Sequence, residues 1–400
     1  MVWLFCGLLN PAMVSAEQPI QVRANEHTFV FGEQVRFHLE VAGKDPIQSI
    51  ILAYRTSDAQ ETTVQRLSFK PNTLVSVDHI HRVASRYIRP FVEVTYWWTI
   101  VNVAEARLTT EPQTFIYTDN RFKWEALNDG AVGVHWYQGD VEIAQKALDV
   151  LVSGMARARQ DIHIDTISQP IDAYLYSGAD DLRVALPAEA PLDTEALTLY
   201  ETSVILVALG PEKDNIADLK RILPHEVTHA LIHEATRSEF DHVPLWLSEG
   251  LATSVQYTFM PDPDAQTLVE EGVRDHRLIP LDTLCGAFPH DLVRARLAYA
   301  ESASVINHVR DLYGRQALRD LVAAYGDGAT CEGGVRRVLG VSLDRLEAEW
   351  SAKLVPRKAW VAFWEDNGAW VLLFVLFAML PLAFVVPSPA RTAGSRNRGS

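Results

Sequence analysis

The chain has 400 residues and a formal net charge of −15 at pH 7, with 51 acidic against 36 basic side chains and 48% apolar residues. That length exceeds one compact domain and points to two or three units, with enough apolar and aromatic content for packed cores. The acid excess, with no basic block to neutralise phosphates, excludes a nucleic-acid partner and says nothing about reaction type.

Residues Met1–Ala16 are apolar and end in Val14-Ser15-Ala16, a small-residue cleavage pattern, so 1–16 is expected to be a signal peptide. It lacks the usual basic start, and an uncleaved anchor or a buried strand is the competing reading. Residues 17–118 read as an all-β, immunoglobulin-like sandwich. Seven β-branched or aromatic runs (28–31, 35–41, 47–54, 62–67, 74–79, 91–101 and 113–117) are separated by turn signals such as Gly32 and Lys70-Pro71-Asn72. No Cys–Trp–Cys framework accompanies them. Period two is expected to turn Trp97 inward and Trp98 outward. No catalytic constellation occurs here; gripping a wall polymer or a partner protein is one role for such a unit.

Asp119–Trp124 looks like the junction to a second, α+β domain over residues 119–355. The expected elements begin with a strand at Val132–Tyr137 and a helix at 140–160, with Val141, Ala144, Leu148, Leu151 and Met155 at helical spacing. Further strands are expected at Ile171–Tyr176 and Ser203–Leu209. The latter either lines a cleft and pairs with an extended peptide along its edge, or is wholly buried. Helices follow at 219–236, 242–256 (Pro244 at its start), 292–313 (ended by Gly314), 316–325 and 343–354, with a long connection over 260–283.

The helix at Leu219–Thr236 carries His225, Glu226 and His229 in the order H-E-x-x-H. Residues four apart on a helix share a face and lie roughly 6 Å apart along the axis. Two imidazoles so placed can share one Zn²⁺ at about 2.0–2.1 Å each, with the intervening glutamate within reach of a water as general base. Pro224 suits a bend or an early turn. The competing reading is an ordinary amphipathic helix with core or surface histidines. A catalytic zinc needs a third protein ligand. His233 is about 12 Å from His225 along the axis and cannot share the ion. Ile232 and Ala235 stand where a metzincin motif requires glycine and histidine. Glu249, on the following helix, is left.

Gly368–Val386 carries no charge, follows Trp360 and Trp364, includes Trp370, and is followed by Arg391, Arg396 and Arg398. A transmembrane helix is expected over 368–387, after a juxtamembrane linker at 356–367. The tail, 388–400, is then cytoplasmic and everything before the span lies outside the cell membrane. A buried soluble helix is the alternative. With Cys6 removed, Cys285 and Cys331 remain; in an oxidising compartment they can form an intramolecular disulfide, against the alternative of two free buried thiols.

His225-Glu226-x-x-His229 followed by Trp246-Leu247-Ser248-Glu249-Gly250-Leu251-Ala252 resembles the gluzincin metallopeptidases, in particular the peptidase-MA-like group and, more distantly, the M1 aminopeptidases. The resemblance covers Val132 to about Leu354. It implies a thermolysin-like fold, zinc on His225, His229 and Glu249, Glu226 activating water, and a peptide or protein substrate. Such families place a tyrosine on a later helix to stabilise an oxyanion, and Tyr299 matches that place, with a plain core role competing. Thr253 stands where some relatives have an acidic residue behind the metal. Val207–Asn215 lacks the Gly-x-Met-Glu-Asn segment of the M1 enzymes, so exopeptidase specificity is not supported. The expectation is a membrane-anchored extracellular zinc metallopeptidase; the alternative is an inactive binding or scaffolding protein on the same fold.

Overall fold

The computed structural model describes residues 18–59, 61–164, 166–187, 190–191, 194–209, 216–354 and 367–373. The signal-peptide segment and most of the transmembrane segment expected from sequence lie outside these residues. Residues 367–373 are helical. Among the described residues, no helix is long and apolar enough to cross a membrane.

The N-terminal unit holds seven strands: β1 (Ile20–Val30), β2 (Gln34–Thr56), β3 (Thr63–Arg66), β4 (Asn72–Arg82), β5 (Glu93–Asn102), β6 (Arg107–Thr109) and β7 (Gln113–Ile116). Where sequence suggested two strands and a turn over 35–54, β2 runs through. Its first part pairs with β1 and β4 and its second with β3 and β5, with register shifts after Ala42 and Ile47 where it bends. Gly43 permits the bend, since a Cβ there would lie 2.5 Å from the Asp45 carbonyl oxygen. All seven strands therefore belong to one hydrogen-bonded sheet. Its two halves share a core in which Phe37 stacks on Tyr54 at 5.1 Å and meets the tilted ring of Tyr96 at 5.0 Å. The expected phase of β5 is reversed. Val94, Tyr96 and Ile100 set the inward face, so Trp98 is fully buried and donates to Asn25 Oδ1 at 3.0 Å, whereas Trp97 is half-buried.

The second unit is built on β8 (Glu125–Asp129), β9 (Val132–Trp136), β10 (Ile171–Tyr176), β11 (Ala196–Leu199) and β12 (Val204–Ala208), in the order β11-β12-β10-β9-β8. The three central strands are parallel and both edges antiparallel. Around them run α1 (Val141–Ala158), α2 (Ala179–Arg183), α3 (Ile216–Thr236), α4 (Leu245–Phe259), α5 (Ala265–Arg274), α6 (Leu292–Gly326), α7 (Cys331–Leu339) and α8 (Leu343–Leu354). α5 occupies the expected long connection. Gly314, at φ 84°, breaks α6 where the sequence suggested a helix end. Cys285 and Cys331 are bonded across a sequence separation of 46.

β12 is apolar on both faces, as a doubly covered strand requires, while β9 and β10 place His135 and Asp172 together on the face away from α1. Ile205 and Val207 of β12 pack with α1 and α3, while Val204 and Leu206 join the core of the N-terminal unit. Phe91 lies 4.2 Å from the Tyr174 ring, and Tyr176 donates through its hydroxyl to buried Asp119, which also pairs with Arg121. The N-terminal unit is thus the second layer on the five-stranded sheet, joined through a continuous core.

Inside the helical half, Glu301 on α6 is fully buried, and both carboxyl oxygens accept from the Ile279 N–H at 3.2 Å. Burial pushes this carboxyl up to about 8; the Ile279 N–H opposes that rise and the charge of Glu347 adds to it. The folded state therefore holds a proton that the unfolded chain releases near 4.5. The stabilisation is complete below that pH and is lost as pH rises through about 8. Glu301→Gln, which cannot ionise, is expected to gain stability relative to the parent between these limits, by at most roughly 1.4 kcal/mol per pH unit. Thermal melts of both proteins across that range check it; a constant difference would remove the assignment.

Candidate metal centre

α3 and α4 cross so that His225 and His229, one turn apart, face Glu249. α3 begins at Ile216, so Pro224 sits inside it rather than in an early turn. A proline there cannot donate to the carbonyl of residue 220, and its own carbonyl accepts from Thr228 Oγ1 at 2.7 Å. α1 closes on this point because Gly154 has no side chain: a Cβ would lie 3.1 Å from Pro224 Cα. α4 follows Pro244 at its N-terminus and packs on α6 at Gly250, where a Cβ would lie 2.7 Å from the Ser302 carbonyl oxygen. Both close approaches fix the height and rotation of the helices that carry the three side chains.

His225 Nε2 and His229 Nε2 lie 3.1 Å apart, and each is 3.4 Å from Glu249 Oε2. A tetrahedral ion with bonds of about 2.0–2.1 Å holds its ligand atoms roughly 3.3 Å apart. The donor set therefore fits one small divalent cation. Two further observations agree. Glu249 Oε2 is buried without a hydrogen-bond partner, and His229 Nδ1 meets Ser248 Oγ at 3.0 Å, which leaves Nε2 free to present its lone pair. His225, His229 and Glu249 are the one such cluster among the described residues.

The electrostatics are those of a buried anion between two imidazoles. Burial alone favours a protonated Glu249, but His229 and His225 outweigh it and hold the carboxyl well below the usual carboxylate range. Burial likewise works against a charged His229; Glu249, and then Glu226, outweigh it and raise the imidazole above its ordinary value.

Glu226 points to the other side of the pair. Its Oε2 accepts from Thr198 Oγ1 at 2.6 Å, which ties it to β11. This short strand was not recognised from sequence: four residues without alternation give no signal. The strand that was weighed as a cleft edge, β12, is paired on both sides and buried, so β11 provides the edge. Tyr299, on α6, has its ring 6.3 Å from that of His225 and 5.1 Å from Phe288. Burial, and then the charges of Glu249 and Glu226, push its phenol up to about 12, so it keeps its proton at neutral pH. Among the described residues, Thr253 Oγ1 and His225 Nδ1 are both buried without hydrogen-bond partners. His233 stands apart, its ring against Tyr200 and Phe240. The cleft above the cluster encloses about 690 Å³ and is lined by His225, Glu226, Tyr299, Ala196 of β11 and apolar groups including Ile222, Met260 and Leu292.

No curated protein matches the chain. Among solved structures it is similar to aminopeptidase A of Legionella pneumophila in complex with aspartic acid, at 10% identity and a TM-score of 0.39, over 84% of this chain and 49% of that one. It is also similar to catalytically inactive OgpA of Akkermansia muciniphila in complex with an O-glycopeptide, at 9% identity and a TM-score of 0.20, over 26% of this chain and 30% of that one. The chain thus spans about half of the first protein's length and under a third of the second's. Residues 152–356, just over half of the sequence, match the family described as the Peptidase MA superfamily. The chain, with its His-His-Glu cluster on two crossing helices, belongs to the Peptidase MA superfamily.

Proposed function

We propose that the protein is a gluzincin-type zinc peptidase that hydrolyses peptide bonds, with His225, His229 and Glu249 holding the metal. The observation that carries this is the 3.1–3.4 Å triangle of their ligand atoms. A zinc ion bound there supplies a Lewis acid that acidifies water toward a pKa of about 7 and polarises a carbonyl. Everything else falls to the chain. Thr198 fixes one oxygen of Glu226, leaving the other to take the proton of the attacking water and pass it to the leaving nitrogen. The protonated Tyr299 phenol donates to the oxygen of the attacked carbonyl as charge develops there. β11 offers an edge on which an extended peptide can lie. Placement outside the cytoplasm belongs to the same proposal: the Cys285–Cys331 bond suits an oxidising compartment, with the apolar run 368–386 as membrane anchor.

Glu226→Gln is expected to keep zinc while hydrolysis of an unstructured protein such as casein falls by about 10²–10⁴-fold. Zinc content and turnover measured on the same preparations decide it. A zinc-loaded parent that cleaves nothing would point instead to a binding protein on a peptidase fold. Ser248→Ala removes the partner of His229 Nδ1, and zinc affinity in a chelator competition should weaken by roughly 10–100-fold. Tyr299→Phe should lower kcat by about 10²-fold with KM little changed; an equal loss through KM would return Tyr299 to a packing role.

A further inference from the structure

The cleft over His225, Glu226 and Tyr299 extends toward the N-terminal sides of two helices. On α3, Ile222 stands four residues before Glu226; on α6, Ala295 and Leu292 stand four and seven residues before Tyr299. Residues at these spacings share a helix face, so each helix sets an apolar group about 6 Å along its axis from a polar one. Met260, at the end of α4, adds a third apolar side to the same space. Two of these groups are open to solvent, Leu292 at 79% exposure and Met260 at 41%. Leu292 is nonetheless fixed in place. It is the first residue of α6, and Asp291 caps that helix by accepting from the Arg294 N–H at 2.9 Å. Apolar groups gathered in the mouth of a cleft, with a few polar groups beyond them, mark a site that a ligand covers.

The charged residues of the lining are already engaged. Arg221 Nη2 lies 2.6 Å from Glu195 Oε2 and 3.2 Å from Asp218 Oδ1, while Arg296 Nη2 lies 3.0 Å from Asp262 and 3.5 Å from Asp264. Each guanidinium therefore sits between two carboxylates, and Glu226 and Glu249 add two more acids. An acidic side chain entering the cleft meets a surplus of like charge, and a basic one competes with an arginine already in place.

We propose that Ile222, Met260, Leu292 and Ala295 form the specificity subsite of the cleft, taking a bulky apolar side chain from a residue that flanks the scissile bond. Successive residues of an extended peptide are about 3.3 Å apart, so such a side chain reaches groups one helical turn from Glu226 and Tyr299. Half-buried Ala295 sets the depth, because its methyl group leaves space that a larger residue would fill. The unbranched Met260 side chain can adapt to side chains of different shape. The inference rests on the peptidase reading and names the substrate class of that site: polypeptides cut beside a large apolar residue.

The test uses blocked peptides built around a bond that the protein cuts in casein, varied among Leu, Phe, Ala, Ser, Lys and Glu at each position flanking that bond. At one position, Leu or Phe should exceed Ser, Lys and Glu in kcat/KM by about tenfold or more. Ala295→Phe fills the subsite and should reverse the order of Leu and Ala. Leu292→Ser, at an exposed position outside the core, should narrow the Leu-to-Ser ratio by about three- to tenfold. Preference for a charged residue, no preference at either position, or a folded Ala295→Phe protein that keeps the parent's order overturns the subsite. If Ala295→Phe fails to give the parent's thermal melt, Leu292→Ser decides, and an unchanged ratio overturns it. Should the parent cleave neither casein nor any peptide, the peptidase reading fails by itself. Fluorescence anisotropy with labelled Leu and Ser peptides then decides the subsite, and equal affinity for the two overturns it.

Discussion

Two imidazole nitrogens and a carboxylate oxygen held within 3.4 Å of one another form an arrangement that a folded chain does not keep by accident. Among the described residues the Glu249 oxygen has no hydrogen-bond partner. Holding them there demands that α3 and α4 keep their mutual height and rotation to within a few tenths of an ångström. The neighbouring helices meet that demand by subtraction. Gly154 lets α1 bear directly on α3 beside Pro224, and Gly250 lets α6 bear directly on α4 beside Glu249. A methyl group at either glycine would crowd the helices at the level of the three clustered side chains.

Glu226 is supported from the opposite direction. Thr198 belongs to an edge strand whose Leu199 is buried in the core shared with the N-terminal unit, with Leu197 packed against it. The position of the Glu226 carboxylate therefore depends on both layers of the sheet: α3 supplies its backbone, and the β-rich half of the molecule backs the strand that holds its oxygen. Arg89 of the N-terminal unit reinforces this by pairing with Glu201, just beyond the strand. Among the described residues, none of the N-terminal unit lines the cleft, yet the unit stands behind it.

The His-His-Glu cluster was legible because its signal is local: H-E-x-x-H needs only the helical period, and Trp246-Leu247-Ser248-Glu249 follows on the next helix. Long periodic segments such as α1 and the first part of α6 were equally plain, and the break at Gly314 fell where glycine allows a positive φ. Misreadings occurred where tertiary context overrode local pattern. The face of β5 is decided by its neighbours' packing, so period two alone could not tell Trp97 from Trp98. α5 was hidden by Pro261, Pro263 and Gly272, and α7 by Gly333 and Gly334. β8 and β11 are short, and β8 is largely exposed, so neither carries the β-branched alternation of a half-buried strand. Thr198 could not have been singled out at all, because its role exists only through a contact across 28 residues.

The shared core also bears on how the chain is made. Residues 18–118 leave the ribosome first, carrying an apolar surface around Phe91 and Tyr117 that is covered only once Tyr174, Tyr176, Val204 and Leu206 have followed. The early half must therefore wait with a sticky face open while the later half is synthesised, and such faces are where nascent multidomain chains misassemble.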